Sequence, residues 1–281
     1  MQQKRFLDTS VLRKLLFGTQ AYRDYLKDQF KDDPLFISAY VKMEFKRSFI
    51  ISLIGFYNVL NMPSIENTSD ALRFWSNEYR NPYLKAIHEL ISDFLANQNL
   101  ISDSAFDKAK ALLEIGRLIK RYMAEIRMKF KDTGIDSTRC AREQVPFKID
   151  RYNMESDFEK YVMQFKDVKA CRQKCNIHTF LDKKKSKIET LITEAQKLSK
   201  TRHTKGFINI SENLNKILNE GYSKCTCSMC GKIGDAVIAL DAPTNMQIES
   251  LDHSFDYLCP PLRLENKKHP SESQLHKKIN R

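Results

Sequence analysis

Apolar and polar positions near the start of the chain predict a strand followed by a helix. Lys4 to Asp8 is a short predicted strand in which Phe6 and Leu7 are apolar and a carboxylate ends the run, as strands at functional edges often do. Thr9 or Ser10 can cap the helix that follows. Apolar residues recur in that helix at helical spacing, namely Leu12, Leu15, Leu16 and Tyr22.

The middle of the chain has a helical pattern almost throughout. Residues 36–60 predict one strongly apolar helix in which Glu44 is the single acidic residue, and the segment 61–64 ends it. Further amphipathic helices are predicted within 67–130 and 155–198, and another begins near Ser211. No run reaches 18 apolar residues, so no membrane span is expected.

The pattern changes again near the end of the chain. Gly234 and Asp235 open an apolar helix, residues 247–251 form a short strand, and Asp252 follows it. Strands followed by Asp at both extremes, with helices between them, predict an α/β fold interrupted by a large all-helical insertion. The carboxyl ends of parallel strands meet at one edge, so Asp8 and Asp252 are expected there.

These patterns set the predicted domain boundaries. Residues 1–60 and 221–262 are expected to form one split α/β core, and residues 61–220 the helical insertion. Residues 263–281 are expected to be a basic C-terminal tail.

The charge of the chain is concentrated in two segments. The formal net charge is +12, and residues 166–205 contribute +8 while residues 263–281 contribute +4. Such a field attracts polyanions, nucleic acid first among them. The phosphate contacts are assigned to the tail and to a run of lysines, Lys183, Lys184, Lys185 and Lys187. The alternative is a solvated helix face and a tail that aids solubility.

Four acidic residues stand in apolar surroundings that do not otherwise require charge. They are Asp8, Glu44, Asp235 and Asp252. Clustered carboxylates repel one another and need a cation, and oxygen ligands suit Mg²⁺ or Mn²⁺. Two such ions about 4 Å apart can activate water and stabilise the leaving oxygen of a phosphodiester. Taken singly, each acid could instead be a helix cap, a surface residue or a turn former.

Three short motifs resemble those of the PIN-domain nucleases. The opening Phe-Leu-Asp-Thr-Ser at 6–10 is similar to the family's first strand, and Gly-Asp-Ala-Val-Ile-Ala at 234–239 is similar to its Gly-Asp helix start. The segment 248–255 resembles its late Asp-bearing strand, with Ser250 in place of the usual Thr and Ser254 where a further Asp is common. Together the motifs cover about a third of the chain.

The resemblance implies a PIN-like fold with a small parallel sheet and a metal-dependent nuclease activity, with RNA the expected substrate and a metal-bound water the nucleophile. It carries the metal-binding role to Asp8, Glu44, Asp235 and Asp252, and supporting polar roles to Ser10 and Ser250. The family's third strand has no visible counterpart here.

A haloacid-dehalogenase-like phosphatase is a competing enzyme class. It also begins with a strand that ends in Asp and later uses Gly-Asp. Its chemistry needs carboxylates at two positions that are Ser10 and Ala239 in this chain. The sequence therefore favours the nuclease.

Cysteines cluster at two places, and their spacing is typical of a structural zinc site. The predicted ligands are Cys171, Cys175, Cys227 and Cys230, with Cys225 as a spare. Such a site would fix the basic segment to the helix of Asp235. The alternative is that these are ordinary reduced thiols. Seven cysteines, an odd number, and an N-terminus without a signal-peptide pattern indicate a cytoplasmic protein.

Two further functional classes stay open at this point. In one, the carboxylates are structural and the chain is a zinc-stapled helical nucleic-acid-binding protein without catalysis. In the other, the chain is a toxin-like effector whose helical block binds a regulatory protein partner.

Overall fold

The computed structural model describes residues 2–78, 88, 91–96, 98–102, 104–132, 176–222, 225 and 227–279. Over these residues the protein is mixed α/β and mostly helical, with one all-parallel sheet. The chain divides into two compact units. The first comprises residues 1–44, 128–146 and 164–281, and the second comprises residues 45–127 and 147–163.

The sheet belongs to the first unit and has five strands in the order β3-β2-β1-β4-β5. The strands are β1 Arg5–Leu7, β2 Leu35–Ile37, β3 Lys131–Asp132, β4 Gln247–Ser250 and β5 Glu265–Lys268. All four pairings are parallel. In register, Leu7 lies opposite Glu249, and Ser250 lies opposite Lys268.

Helices account for most of the remaining described residues. The main helices, in chain order, are α1 Thr9–Phe17, α2 Gln20–Phe30, α3 Ala39–Phe45, α4 Ile51–Leu60, α5 Thr68–Glu78, α6 Ala105–Lys129, α7 Ile177–Lys183, α8 Lys185–Gln196, α9 Lys205–Glu220, α10 Cys227–Lys232, α11 Gly234–Asp241, α12 Phe255–Leu258 and α13 Glu272–Ile279.

The predicted α/β character and parallel sheet are confirmed. Strand β1 is central and fully covered, since Phe6 and Leu7 are both completely buried. A strand covered on both faces has consecutive apolar residues rather than an alternating pattern. The predicted strands at 4–8 and 247–251 differ from β1 and β4 by single residues at their ends.

Residues 36–60 do not form the single helix that the sequence predicts. Strand β2 occupies the first part, and Ser38 then begins α3 by accepting a hydrogen bond from the backbone N–H of Val41 at 3.1 Å. A π-helical segment, Lys46–Ile50, connects α3 to α4. Periodicity cannot separate a three-residue apolar strand from the apolar helix that follows it, so the prediction merged them.

The unit boundaries also differ from the expected ones. Residues 176–220, expected within the insertion, are part of the first unit together with the sheet. The expected tail supplies strand β5 and helix α13. Strand β5 has the sequence Glu-Asn-Lys-Lys, which is polar because it lies at the edge of the sheet.

A buried ionic network fastens the first and last thirds of the chain together. The Arg5 guanidinium donates to Glu249 at 2.6 Å and to Asp33 at 2.9 Å, and His269 Nε2 lies 2.7 Å from the other Glu249 oxygen. Glu249 is completely buried and His269 nearly so. Removing Arg5 or Glu249 would leave the charge of the other residue buried and uncompensated, which typically costs about 3–5 kcal/mol. The network therefore holds β4 in place beside β1.

The second unit has its own apolar core. Phe56 of α4 meets Trp75 of α5 edge to face, with ring centroids 5.9 Å apart. Gly55 admits this indole, because a Cβ there would lie 2.7 Å from the Trp75 ring. Phe49 packs in the same way on Tyr122 of α6. Among the described residues, no helix has the length and apolar content required to cross a membrane.

Candidate active site at the carboxyl edge of the sheet

The strand order creates a switch point between β1 and β4. From β1 the chain goes to β2 on one side of the sheet, and it later returns to place β4 on the other side. In open α/β sheets, ligands bind at such a point, beyond the carboxyl ends of the strands. Asp8 directly follows β1, and Asp252 lies two residues after β4. Both therefore lie at the edge where a ligand site is expected.

Asp8 is a buried carboxylate, with 4% of the residue exposed. The pKa of Asp8 is raised from 3.8 to about 7, chiefly by burial and also by the charge of Glu44. A hydrogen bond donated by the Ser10 hydroxyl opposes this shift. The backbone N–H of Asp8 donates to the carbonyl of Glu249 at 3.0 Å, which fixes the residue to β4. Asp8 is thus held in place and costly to ionise.

Asp235 is the second residue of α11 and has a similar environment. The pKa of Asp235 is raised from 3.8 to about 7, chiefly by burial and also by the charges of Asp8 and Asp252. The Ser254 hydroxyl donates to Asp235 Oδ2 at 2.5 Å and lowers the pKa in part. Mutual repulsion therefore connects three of the four acids.

Glu44 completes the cluster from α3. Its Oε2 accepts a hydrogen bond from the Thr9 hydroxyl at 2.7 Å, so the helix and the start of α1 are joined at the site. Its Oε1 lies against Gly234, where a Cβ would be only 2.7 Å away. The Tyr40 hydroxyl would be 3.1 Å from the same Cβ, and it donates to the carbonyl of Cys230 at 2.7 Å. The glycine thus makes room for the carboxylate.

Asp252 is held by a tight turn after β4. Its backbone N–H donates to the Ser250 hydroxyl at 3.0 Å, and its Oδ1 accepts from the N–H of Ser254 at 2.9 Å. The Ser10 hydroxyl accepts from the N–H of Leu251 at 3.1 Å. Ser10 and Ser250, predicted as supporting groups, thus both hold backbone near the acids.

The charges of the four candidate acids interact in pairs, namely Glu44 with Asp8, Asp8 with Asp235, and Asp235 with Asp252. A set of carboxylate oxygens that raise one another's pKa fits a hard divalent cation, which would remove the repulsion. In the part of the chain that the structure describes, no three Cys, His, Asp or Glu side chains are arranged to hold a metal ion as they stand. Hydroxyl groups of Ser10, Thr9 and Ser254 engage the carboxylates instead.

The predicted lysine contacts have unequal environments. Lys183 and Lys185 are exposed, whereas Lys184 and Lys187 are half-buried. The Lys184 ammonium lies 5.7 Å from the centre of the Phe180 ring. Burial lowers the pKa of Lys184, the charge of Lys187 lowers it further, and the buried Asp241 carboxylate opposes both. Lys184 thus packs against Phe180 as well as carrying charge.

The predicted zinc site is only partly within the described chain. Cys171, Cys175 and the side chain of Cys227 lie outside the described residues. Cys230 is half-buried, and its sulfur lies 3.7 Å from the Tyr40 hydroxyl. The zinc assignment stays a prediction.

Sequence reasoning missed several groups that organise the acids. Thr9 was considered only as a helix cap, yet it binds Glu44. Ser254 occupies the position noted as a lost carboxylate, yet it binds Asp235. Tyr40 carried no signal at all. For Thr9 and Ser254, the available signal was a hydroxyl residue within two positions of a candidate acid.

Comparison of the chain with protein-family models, curated proteins and solved structures finds no match.

Proposed function

We propose that this protein is a divalent-metal-dependent nuclease with a PIN-like core, which hydrolyses phosphodiester bonds in RNA. The observation that carries the proposal is that the carboxyl groups of Asp8 and Asp235 lie close enough for their charges to interact, at the switch point of a parallel sheet. These residues lie far apart in the sequence; Asp8 is buried and Asp235 half-buried, and a lone carboxylate in such surroundings is costly. A bound cation is the simplest compensation for this cost.

Asp8, Glu44, Asp235 and Asp252 would hold Mg²⁺ or Mn²⁺ through their oxygens. Bound there, the ion would supply charge neutralisation for the phosphodiester and a water of lowered pKa. The protein's own contribution is orientation: Ser10, Thr9 and Ser254 hold the carboxylates in register with one another. Correct placement of such groups to about 0.5 Å is what a functional site needs.

The charge of the four acids would also make substrate binding depend on the bound metal. Without the cation, the cluster repels phosphate, so binding of the metal and of the nucleic acid should be coupled. The basic surface elsewhere in the first unit would supply sequence-independent phosphate contacts. Nucleic-acid binding in the absence of metal should therefore be measurable but weaker.

The phosphatase alternative receives less support from the site. A catalytic Asp of that class needs a second carboxylate two residues later as proton donor, and Ser10 is there instead. Ser10 already donates to Asp8. A proton relay of the phosphatase type would need another donor.

The test uses the purified full chain and a fluorescently labelled single-stranded RNA. We expect cleavage in Mn²⁺ or Mg²⁺, its loss in excess EDTA, and its recovery when the metal is added back. Internal labelling separates endonucleolytic from exonucleolytic products, and an equivalent DNA reports the preference for RNA. Binding without cleavage in every metal would contradict the nuclease and favour the non-catalytic binding protein. Hydrolysis of p-nitrophenyl phosphate instead of RNA would favour the phosphatase.

A further inference from the structure

A second polar cluster lies at the same edge of the sheet, beside Asp252. Lys268 is the last residue of β5 and lies opposite Ser250 of β4. Because β4 and β5 are parallel neighbours, their carboxyl ends are about 4.8 Å apart. Lys268 therefore lies one strand beyond the switch point, on the side away from β1.

His253 follows Asp252 directly and contacts this lysine. The Lys268 ammonium lies within hydrogen-bond distance of His253 Nδ1. The same Nδ1 lies 3.2 Å from Asp256 Oδ2, so it is placed between an ammonium donor and a carboxylate acceptor. The His253 side chain is 56% exposed. It therefore presents a partly exposed imidazole directly after Asp252 in the chain.

His203 reaches the same place from the basic segment. It belongs to the loop 197–204 between α8 and α9, and its ring meets that of His253 edge to face, with centroids 5.2 Å apart. The loop is well fixed, since the Thr204 hydroxyl donates to the carbonyl of Ser199 at 2.6 Å. Exposed Arg202 and Lys205 flank the contact in sequence.

The packing below the cluster fixes the two histidines relative to each other. Phe207 of α9 is buried and stacks on Tyr257 of α12, with centroids 6.0 Å apart. Each aromatic residue lies four positions after one of the histidines. The contact between the two helices thus sets the contact between the two imidazoles.

The positive excess beside this cluster comes from exposed Arg202 and Lys205, since the charge of Lys268 is balanced by Asp256 within the cluster. The three side chains of the cluster are two imidazoles and one ammonium group, and the carboxylate of Asp256 lies beside them. Asp256 is already engaged by Lys268 at 3.7 Å, by His253 at 3.2 Å and by Asn266 at 3.1 Å. A surface of N–H donors beside a carboxylate metal site matches a chain of phosphates, one at the metal and the next at the donors.

We propose that His203, His253 and Lys268 form a phosphate-binding subsite for single-stranded nucleic acid, adjacent to the acidic cluster. The inference rests on the proposed function, since it assigns these residues to the phosphate next to the one that is cleaved. It also gives the basic segment a defined point of contact at the site through His203. This contact is independent of the lysines at 183–187. Flexible single strands suit such a subsite because successive phosphates can follow the edge of the sheet.

The test compares the wild type with the variant His203→Gln/His253→Gln/Lys268→Gln. The probe is a fluorescein-labelled 12-nucleotide oligouridylate, followed by fluorescence anisotropy in EDTA so that no cleavage is required. We expect Kd to rise about tenfold for the variant, from the loss of one phosphate contact and its hydrogen bonds. The matched control is Lys27→Gln, which removes one exposed lysine charge from α2. It should change Kd by less than about twofold.

Cleavage kinetics give the second readout. In Mn²⁺ the variant should raise KM about tenfold and change kcat by less than about threefold, because it removes binding rather than chemistry. If the triple variant does not fold, the single variant His203→Gln, which changes an exposed residue, should raise Kd about threefold.

The outcomes separate this inference from the proposed function. If Kd and KM of the variant match those of the wild type, the subsite is wrong while the nuclease stands. If the wild type never cleaves but the variant loses binding, the nuclease is wrong while the phosphate site stands. If a 12-residue oligoglutamate binds the wild type as tightly as the oligouridylate and depends on the same three residues, the assignment to nucleic acid is overturned in favour of an acidic peptide.

Discussion

Gly234 and Glu44 occupy complementary positions: the carboxylate of Glu44 fills the space that a side chain on Gly234 would need. A Cβ at position 234 would lie 2.7 Å from Glu44 Oε1. Gly234 is also the residue before Asp235 and the first of α11. The Gly-Asp pair thus contributes to the site in two ways. Gly234 leaves room for the Glu44 carboxylate, and Asp235 is itself one of the four acids.

Replacing Gly234 by Ala should therefore impair activity by displacing Glu44. We expect cleavage in Mn²⁺ to fall about 10- to 100-fold, since displacements of about 1 Å have effects of this size. The matched control is Gly206→Ala in α9, where an added Cβ meets nothing within 4 Å. That variant should keep full activity and gain up to about 1 kcal/mol in the free energy of unfolding from helix propensity. Equal activity in both variants would contradict the role of Gly234.

The variants Asp8→Asn and Asp235→Asn should each lose cleavage while they remain folded. An amide keeps the shape of the carboxylate but removes the charge that a divalent ion requires. Because a catalytic metal supplies several kcal/mol, kcat should fall by about 10²- to 10⁴-fold. Asp28→Asn, on the exposed face of α2, is the control and should be fully active. Full activity of either site variant in purified form would exclude the proposed metal ligands.

The free energy of unfolding should fall as the pH rises from about 4 to about 7 in the absence of metal. The pKa values of Asp8 and Asp235 are raised from 3.8 to about 7 in the folded chain. Over this range the unfolded chain has lost protons that the folded chain retains, so stability decreases with pH and then levels off. The expected loss is several kcal/mol, since each raised pKa unit is worth about 1.4 kcal/mol.

Urea unfolding followed by circular dichroism at pH 5 and pH 8 measures this effect. Asp235→Asn should flatten the dependence and be the more stable protein at pH 8. A Mn²⁺ concentration of about 100 times its Kd at pH 8 should restore about 2.7 kcal/mol at that pH. The same concentration should restore much less at pH 5, where protonated carboxyl groups bind the metal weakly. A wild type that is equally stable at both pH values would argue against the raised pKa values.

Binding to RNA should depend strongly on salt, and part of that dependence should come from the lysine run. Charge reversal of Lys183, Lys185 and Lys187 to Glu should weaken binding of all sequences alike and reduce the slope of log K against log salt. Lys184 is best left unchanged in this experiment, because it packs on Phe180 and faces the charge of Asp241. Its reversal to Glu should instead destabilise the fold. An unchanged affinity and slope would leave the run as a solvated surface.

One zinc ion per chain is expected if Cys171, Cys175, Cys227 and Cys230 form the predicted site. Elemental analysis of protein purified without chelator should find about one equivalent. The double variant Cys227→Ser/Cys230→Ser should lose the metal, become less stable and cleave less, because thiolate-bound zinc is coupled to folding. Cys259→Ala changes a buried thiol elsewhere and should keep the zinc. Protein that contains no zinc yet has normal stability would identify these residues as ordinary thiols.

The elements that the sequence predicts well are those with a local signal. Asp8 and Asp235 each combine an apolar flank with a helix start, so both the elements and the candidate acids could be recognised within a few residues. Strands β2, β3 and β5 could not, because they are short or polar and become strands only by pairing with distant neighbours.

The contacts that organise the site are also invisible in sequence order. Arg5 pairs with Glu249, which is 244 residues away, and His203 meets His253 across 50 residues. Nothing near either partner indicates the other. The contact of His253 with Lys268 depends on the register of β4 with β5, which no local pattern indicates.

The strand order also determines when the site can come into being during synthesis. The central strand β1 leaves the ribosome first, yet one of its two neighbours, β4, is made more than 200 residues later. At translation rates of about 5–20 residues per second, on the order of 10 seconds or more pass between the synthesis of Asp8 and that of Asp235 and Asp252. A nascent chain therefore carries half of the carboxylate cluster and no complete site. A protein that cuts RNA would thus be inert towards its own message and ribosome until residue 252 has been synthesised.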